Sequence, residues 1–302
     1  MDESRRPDLE QAAAAARESG LDRDARKVIP WAYDLLGDGL MMSTAFGKSG
    51  MCILHIVSEL ELPIPIYFID TGFHFEETMR FVNTLRDRWR INLLVERPEL
   101  YGIDFIRRHG ENLYETDPDF CCQKNKVEPF SNLIKRYQGW ITGVRRDQSS
   151  TRATAETIEI LEGGKLKVQP LAYWTLMDVN AYVTENRIPL HPLFSQGYTS
   201  IGCAPCTQPN TDPADERAGR WSGKAKTECG LHTYWKKKKE AAAKEETAER
   251  KDTAPTIETP SSIEIPPGAP TNGTNGTGAT EKKAQPEETK ERPSKPWAAK
   301  KQ

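Results

Sequence analysis

Short apolar runs alternate with longer amphipathic segments along residues 1–235. Apolar runs bounded by turn residues predict buried strands, and the segments between them predict helices. After the last strand, Ile158–Leu161 and Leu166–Val168 flank a Gly-Gly pair and predict a small appended hairpin. Strands separated by helices of this length predict an α/β fold, a mostly parallel sheet with helices on both faces. The four predicted strands are Leu40–Thr44, Ile64–Asp70, Asn92–Glu96 and Trp140–Val144.

Three of the segments between strands have a helical pattern. Met51–Leu60 is almost wholly apolar, which predicts a mostly buried helix. Cys121–Tyr137 also reads as helical, with Pro129 either interrupting it or marking a new first turn. In the predicted helix Glu76–Trp89, helical spacing places four apolar side chains on one face: Met79, Val82, Leu85 and Trp89.

The composition changes sharply near residue 235. Residues 236–302 contain no Leu, Val, Phe, Met or Cys and carry eight of the 21 prolines. A segment of this kind cannot bury enough apolar surface to offset the entropy lost on ordering, so it predicts a disordered tail. The folded domain is therefore expected within residues 1–235.

Charge and hydropathy exclude several classes of protein. The chain has a net charge of −2, and residues 1–235 carry 28 basic and 33 acidic residues, a net charge of −5. This balance argues against a general nucleic-acid binder. The sequence has no run of 18 apolar residues and no secretory signal, so neither a membrane span nor export is expected. We therefore expect a cytoplasmic protein, in which cysteines more often serve as ligands or catalysts than as disulfides.

Loops that follow parallel strands form the ligand-binding edge of such a sheet. The loop Ser43–Gly50 combines hydroxyls, glycines (Gly47 among them) and a helix N-terminus, which predicts an anion cradle. It is not a Walker A loop, because Met42 stands where the first glycine is required. The fourth strand is followed by three arginines, whose planar guanidinium groups suit phosphate or sulfate oxygens. A salt-bridged surface loop would show the same sequence pattern. A nucleotide or another small polyanion is the favoured ligand class. The other strand-end residues are Asp70, Thr71 and Gly72 after the second strand, and Gly143, Arg145, Arg146 and Arg152 after the fourth.

Five of the six cysteines lie outside the apolar run that contains Cys52. One hypothesis is a zinc site of Cys203, Cys206, Cys229 and His232. The other is a [4Fe–4S] cluster held by Cys121, Cys122, Cys203 and Cys206. Adjacent cysteines are hard to aim at one zinc ion, whereas a cluster offers a separate iron to each thiolate, so the spacing favours the cluster without excluding zinc. The cluster hypothesis frees Cys229, near Lys224, Lys226 and His232, to act as a nucleophile.

Several ordered motifs are specific enough to indicate a family. They are STAFGKSG at 43–50, FIDTGFHFEETMRF at 68–81, CCQKNKVEP at 121–129, WITGVRRDQSSTR at 140–152, PLHPLFSQGYTSIGCAPCT at 189–207 and ERAGRWSGKAKTECGLH at 216–232. With these motifs, the chain from about Leu40 to His232 resembles the adenylylsulfate/phosphoadenylylsulfate reductase family of assimilatory sulfate reduction and cysteine biosynthesis.

The resemblance implies an adenine nucleotide α-hydrolase-like fold at 1–235, with a mobile catalytic segment at about 208–235. It implies reduction of adenosine 5′-phosphosulfate (APS) to sulfite and AMP, with thioredoxin as electron donor and a [4Fe–4S] cluster that transfers no electrons. Cys229 would attack the sulfur of the substrate and form an S-sulfocysteine. Lys126, Arg217, Arg220 and His232 would supply positive charge. Adenine and ribose would contact the Ser43, Phe46, Gly47 loop and the Asp70, Thr71, Gly72 strand end.

The sequence leaves some alternatives open. Phe46-Gly47 looks more like relatives that use the 3′-phosphorylated substrate (PAPS), whereas the double cysteine accompanies APS. Functions of other classes are an ATP-pyrophosphatase-like enzyme of tRNA thiolation and a zinc-stabilised nucleotide-binding module. Whether the chain forms a homo-oligomer is not indicated by the sequence.

Overall fold

The computed structural model describes residues 8–212 and 214–232, and the predicted tail at 236–302 lies outside these residues. The helices are α1 (Leu9–Glu18), α2 (Ala25–Leu36), α3 (Lys48–Glu59), α4 (Glu76–Arg88), α5 (Ile103–His109), α6 (Leu113–Thr116), α7 (Pro118–Cys122), α8 (Glu128–Ile134) and α9 (Leu176–Glu185). The strands are β1 (Leu40–Ser43), β2 (Pro65–Ile69), β3 (Asn92–Glu96), β4 (Gly139–Ile141), β5 (Ile158–Leu161) and β6 (Lys165–Val168).

The strands form one six-stranded sheet in the order β3-β2-β1-β4-β6-β5. All neighbours are parallel except β5 and β6, which confirms the predicted mostly parallel α/β sheet. The chain moves outward from β1 to β3 and then crosses to β4 on the other side of β1. Because crossovers are right-handed, this reversal puts the helices on both faces and opens a crevice where β1 and β4 end.

Alternating side chains of the central strands build the core on each face. Met41, Tyr67 and Trp140 pack together with Phe130, Leu133 and Ile134 of α8. The neighbouring strand residues Leu40, Met42 and Ile66 are also fully buried and point to the opposite face. Burial on both faces explains why these strands are continuous apolar runs in the sequence.

Other element predictions are corrected by the structure. The hairpin β5–β6 is not an appendage, because β6 pairs with β4 in parallel and extends the main sheet. In α4 the buried face includes Thr78 and Phe81, whereas Met79 and Trp89 are only partly buried. The helices α1, α2 and α9 were not predicted, although α2 buries five residues: Ala25, Val28, Ile29, Ala32 and Leu36. Among the described residues, no helix is long and apolar enough to cross a membrane.

Candidate active site

A cleft of about 210 Å³ opens at the carboxyl ends of β1 and β4, where the strand order reverses. One wall is the loop from Ser43 to Gly47 and the start of α3. The floor contains Thr142 and Gly143, and segments 199–202 and 216–232 close the other side. The crevice therefore lies where an open α/β sheet is expected to bind its ligand.

The loop after β1 turns sharply so that backbone faces the cleft. Phe46 adopts a φ of 57°, and its N–H donates to Thr44 Oγ1 at 3.0 Å. Its ring is fully buried against Phe68, with 5.2 Å between ring centroids. Gly47 then caps α3 without a side chain, so the first N–H groups of the helix remain available to an anion.

Five cationic side chains line the cleft: Lys48, Lys126, Arg152, Arg217 and Arg220. The guanidinium of Arg220 lies 4.4 Å from the ring centroid of Trp221 and rests against Gly202, where a Cβ would come within 2.3 Å of it. Burial and the nearby Arg152 lower the pKa of Arg217 to about 10, which still leaves it charged at pH 7. The cleft is thus a strongly cationic site.

Cys229 lines this cleft and is partly exposed. It packs beside the core group that contains Trp140 and Leu231. Lys126 interacts electrostatically with the thiols of Cys203, Cys122 and Cys229. Their negative charge outweighs the effect of burial and raises the pKa of Lys126 above its ordinary value. Cys229 therefore combines access to the cleft with a neighbouring cation, as a nucleophilic thiol requires.

His232 also lines the cleft and stacks on Trp140, with ring centroids 5.4 Å apart and planes 4° apart. Burial, followed by the cations Arg152, Lys167 and Arg217, lowers its pKa well below 6.5. These surroundings favour the neutral ring, whereas the resemblance implied a positively charged His232.

The other predicted thiols meet in a separate small cavity beside the cleft. Cys121, Cys122, Cys203 and Cys206 all line it, within a shell that includes Phe73, Tyr114 and Pro118. His232 does not line this cavity, so the structure does not bring together the four side chains of the zinc hypothesis. Within the described residues, no group of three or more His, Cys, Asp or Glu side chains is arranged to hold a single metal ion.

Polar groups surround these four thiols. Thr71 Oγ1 lies 3.3 Å from Cys203 Sγ, and Asn125 Nδ2 donates to Cys121 Sγ at 3.7 Å. Burial raises the pKa of Cys121 to about 11 and that of Cys122 to about 12. For Cys203, burial is outweighed by Lys126 and the Thr71 hydroxyl, which hold the pKa below its ordinary value. Lys126 lines both cavities and so connects the thiols to the cleft.

A wide helical turn places Lys126 in this position. Gln123–Val127 forms a π-helical turn between α7 and α8. Pro129 lacks an N–H group, and in a regular helix its ring would collide with the carbonyl of residue 125. The wider turn accommodates the proline, and Pro129 lies in the first turn of α8, which is the second of the two predicted alternatives; α8 ends at Ile134, three residues before the predicted end.

Six predicted contact residues are not brought to the cleft. Phe46 is in the core, and Asp70 is buried under Arg97 and Tyr101, with Tyr101 Oη donating to it at 2.8 Å. Thr71 faces Cys203 instead. Gly72 lies next to residues 101–102, away from the cleft. Arg145 and Arg146 form ion pairs with carboxylates and do not line the cleft. The predicted residues that do line the cleft are Ser43, Gly47, Lys126, Gly143, Arg217, Arg220, Cys229 and His232.

Of the three arginines predicted after the fourth strand, Arg152 is the one that lines the cleft. The sequence interpretation missed Glu228 and residues 199–202, which also line it. The one available signal for Glu228 was its position directly before Cys229.

Comparison with known proteins gives consistent matches. The family profile described as phosphoadenosine phosphosulfate reductase domain matches residues 39–209. Adenosine 5′-phosphosulfate reductase of Bacillus pumilus (strain SAFR-032) is 39% identical over 72% of this chain and 94% of its own length. Adenosine 5′-phosphosulfate reductase 1 of Bacillus subtilis (strain 168) is 38% identical over 70% and 91%. The crystal structure of phosphoadenylyl-sulfate (PAPS) reductase from Candida auris, a phosphate complex, has a TM-score of 0.58 and 30% identity, covering 65% of this chain and 95% of that one.

Proposed function

The chain belongs to the phosphoadenosine phosphosulfate reductase domain family, and we propose that it reduces APS to sulfite and AMP in assimilatory sulfate reduction. The observation that carries this proposal is the meeting of Cys229 with five cations in a cleft at the switch point of the sheet. The relatives at 37–39% identity that are named adenosine 5′-phosphosulfate reductases support the choice of reaction.

The first step is a displacement at sulfur. The Cys229 thiolate attacks the sulfonyl sulfur, a new S–S bond forms, and the S–O bond to the phosphate breaks with its electron pair leaving on AMP. An S-sulfocysteine remains on the enzyme. AMP is a good leaving group, so the chain must chiefly hold the sulfur in line with Cys229 and neutralise the phosphosulfate charge.

The cleft residues divide these tasks by position. Lys126 and Arg220 both lower the pKa of Cys203, and neither is engaged by a carboxylate in the described part of the chain. The backbone of Gly47 and the first turn of α3 would present N–H groups to the nucleotide phosphate. His232, stacked on Trp140, would act as a polar group in the cleft, since its surroundings disfavour the charged ring.

The second step uses a thiol of thioredoxin as the electron donor. That thiol attacks Cys229 Sγ, sulfite leaves with the electron pair of the S–S bond, and the second thioredoxin thiol resolves the mixed disulfide. All six cysteines of the chain are free, which suits a reaction in the reducing cytoplasm.

The donor set of the smaller cavity fits an iron–sulfur cluster. Four thiols converge there without a carboxylate, and thiolates are the ligands that such clusters use. Cys121, Cys122, Cys203 and Cys206 would hold a [4Fe–4S] cluster, which would adjust the electrostatic field beside Lys126 without transferring electrons. Iron and acid-labile sulfide analysis of anaerobically purified protein should find about four of each per chain. Zinc at one per chain without iron would contradict the cluster and favour the zinc-stabilised module.

APS is preferred over PAPS as the substrate. The feature that pointed to PAPS, Phe46-Gly47, loses its weight because the Phe46 ring faces the core and does not line the cleft. Sulfite release with thioredoxin should therefore be faster from APS than from PAPS when the two are compared at equal concentration. The opposite preference would make PAPS the substrate.

Replacement of one sulfur tests the nucleophile. Cys229→Ser should lower sulfite release by at least about 10³-fold, because the hydroxyl is a far weaker nucleophile. Nucleotide binding, measured by calorimetry, should persist. Cys52→Ala is the matched control, since Cys52 is buried in α3 outside both cavities. Full turnover by Cys229→Ser would rule out this nucleophile.

A further inference from the structure

The carboxylate of Glu228 lies in a site that would otherwise suit an anion. Arg152 binds it with both sides of its fork, Nε to Oε1 at 2.8 Å and Nη2 to Oε2 at 2.9 Å. Arg217 Nη2 donates to Oε2 at 3.2 Å. The hydroxyls of Ser149 and Thr151 lie 3.5 and 3.4 Å from Oε1. The arginine-rich loop after β4 therefore binds a carboxylate of the chain itself.

This ion pair is almost removed from solvent. The side chain of Glu228 is 8% exposed, that of Arg152 is 11% exposed and that of Arg217 is 13% exposed. Bidentate pairing at low exposure is the geometry in which a charged pair has the most influence on local structure. Breaking it by removing one partner leaves an uncompensated charge, which strongly disfavours the docked arrangement.

The position of Glu228 in the chain links this pair to the candidate nucleophile. Residues 225–229 have no regular secondary structure, so backbone hydrogen bonds of a helix or strand do not hold them. After Cys229, Leu231 enters the core and His232 stacks on Trp140. Glu228 supplies the corresponding attachment immediately before Cys229, and consecutive Cα atoms are only about 3.8 Å apart.

The cations of the cleft divide into two groups. Arg152 and Arg217 are engaged by Glu228, whereas Lys48, Lys126 and Arg220 make no ion pair within the described residues. An incoming phosphosulfate can therefore use Lys126 and Arg220 without displacing Glu228.

We propose that Glu228 is a positioning residue, whose docking between Arg152 and Arg217 holds the sulfur of Cys229 in place at the cleft. Its effect on catalysis rests on the proposed function, but its effect on Cys229 does not. Without the carboxylate the segment before Cys229 keeps the Arg217–Thr227 hydrogen bond and the Lys226–Asp119 ion pair, but Arg152 and Arg217 lose their anionic partner beside the substrate.

The first test measures the position of Cys229 without substrate. Glu228→Gln should speed alkylation of Cys229 by iodoacetamide about tenfold, since an undocked segment exposes the thiol; peptide mass spectrometry gives the rate. Arg152→Lys keeps the positive charge but loses the bidentate pairing with Glu228, and should increase the alkylation rate by less than Glu228→Gln does. Glu59→Gln is the matched control, because Glu59 is the last residue of α3, does not line the cleft and makes an exposed ion pair with Arg26. Alkylation of Glu228→Gln at the wild-type rate would overturn the proposal.

The second test separates positioning from a general structural role. In steady-state sulfite release, Glu228→Gln should lower kcat about tenfold while KM for APS stays unchanged or falls, because the binding cations remain. A rise in KM together with a lower melting temperature would mean a structural role only, and an unchanged kcat with a lower KM would mean that Glu228 merely competes with substrate. Either result overturns the proposal. If wild-type protein releases no sulfite, the proposed function fails, whereas the alkylation comparison still decides the role of Glu228.

Discussion

Arg145 connects two walls of the cleft without lining it. Its side chain has no exposed surface, and its guanidinium pairs with Asp147 at 2.9 Å and with Glu216 at 2.6 Å. It also donates to Ser49 Oγ at 2.5 Å, in the first turn of α3. One side chain thus joins the loop after β4 to α3 and to the segment that carries Arg217. Its neighbour Arg146 lies outside the cleft, pairs with Glu156 and covers the ring of Tyr173 at 4.1 Å.

Substitution of these two arginines should have unequal effects on stability. Arg145→Met leaves the Asp147 and Glu216 carboxylates without their buried cation, and should lower the free energy of unfolding by about 3–5 kcal/mol. Arg146→Met breaks a partly exposed pair and should cost about 1 kcal/mol. Urea denaturation of both variants at pH 7 gives the comparison, and equal losses would contradict the structural role of Arg145.

At the scale of elements, the cleft depends on a close approach between β4 and α3. A Cβ built on Gly143 would lie 3.1 Å from the backbone nitrogen of Gly50 and 3.3 Å from the carbonyl carbon of Ser49. Both contacts are with backbone, which cannot rotate away as a side chain can. Glycine at 143 therefore lets the strand end and the helix start share the floor of the site.

Gly143→Ala should force β4 and α3 apart. The expected loss is about 1–3 kcal/mol of stability, as for other overpacked sites, together with weaker nucleotide binding. Gly47→Ala serves as the control for stability alone, since a Cβ there meets no atom of the chain within 4 Å and φ is −64°, but Gly47 itself lines the cleft. Thermal unfolding and calorimetric titration with AMP measure the two effects. Comparable stability of the two variants would show that the floor can relax.

Local sequence pattern predicted some elements correctly. The strands β1–β4 and the helices α3 and α4 were predicted because buried strands appear as apolar runs and buried helix faces appear as apolar residues at helical spacing. The helices α1 and α2, which precede the first strand, were not predicted. The π-helical turn at Gln123–Val127 has no periodic signature of its own, because it is selected by Pro129 and by packing around the thiols.

For the molecule as a whole, buried histidines link stability to pH. Burial lowers the pKa of His55 and His191, the latter to about 4, and that of His232 well below 6.5. Below pH 6.5 the unfolded chain therefore binds more protons than the folded chain. The stability that depends on these neutral rings is complete above pH 6.5 and declines as the pH falls towards 4.

His191 offers a direct check of this pH dependence. Its Nδ1 accepts from the Leu193 N–H at 3.2 Å and its Nε2 lies 2.9 Å from Thr78 Oγ1, so a second proton would remove an acceptor. The melting temperature of the wild-type protein should fall between pH 7 and pH 5, and His191→Gln should reduce that slope. The contribution of His191 to the change in the free energy of unfolding with pH is at most about 3 kcal/mol. Thr78→Val removes the hydrogen bond but keeps the titrating ring, so it should retain the slope; a flat wild-type profile would contradict the prediction.

The amino-acid sequence by itself determined the α/β class and the strand-end loops, with Ser43 among them, as the place to look for a site. These features follow from apolar runs and helical periodicity, which the sequence displays directly. The spacing of the cysteines favoured one grouping of four thiols and left Cys229 as a candidate nucleophile, whereas Lys126, Arg217 and Arg220 were assigned through the resemblance to a family. The structure places these three cations in one cleft with Ser43 and Cys229.

Only the tertiary structure decided which side chains of each loop face the ligand. Arg145, Arg146 and Arg152 are equivalent in the sequence, but Arg152 reaches the cleft because Glu228, 76 residues later, folds back to meet it. Phe46 turns to the core and Asp70 to Arg97 for the same kind of reason. The direction of a side chain at a strand end depends on partners far away in the chain, and no local pattern records them.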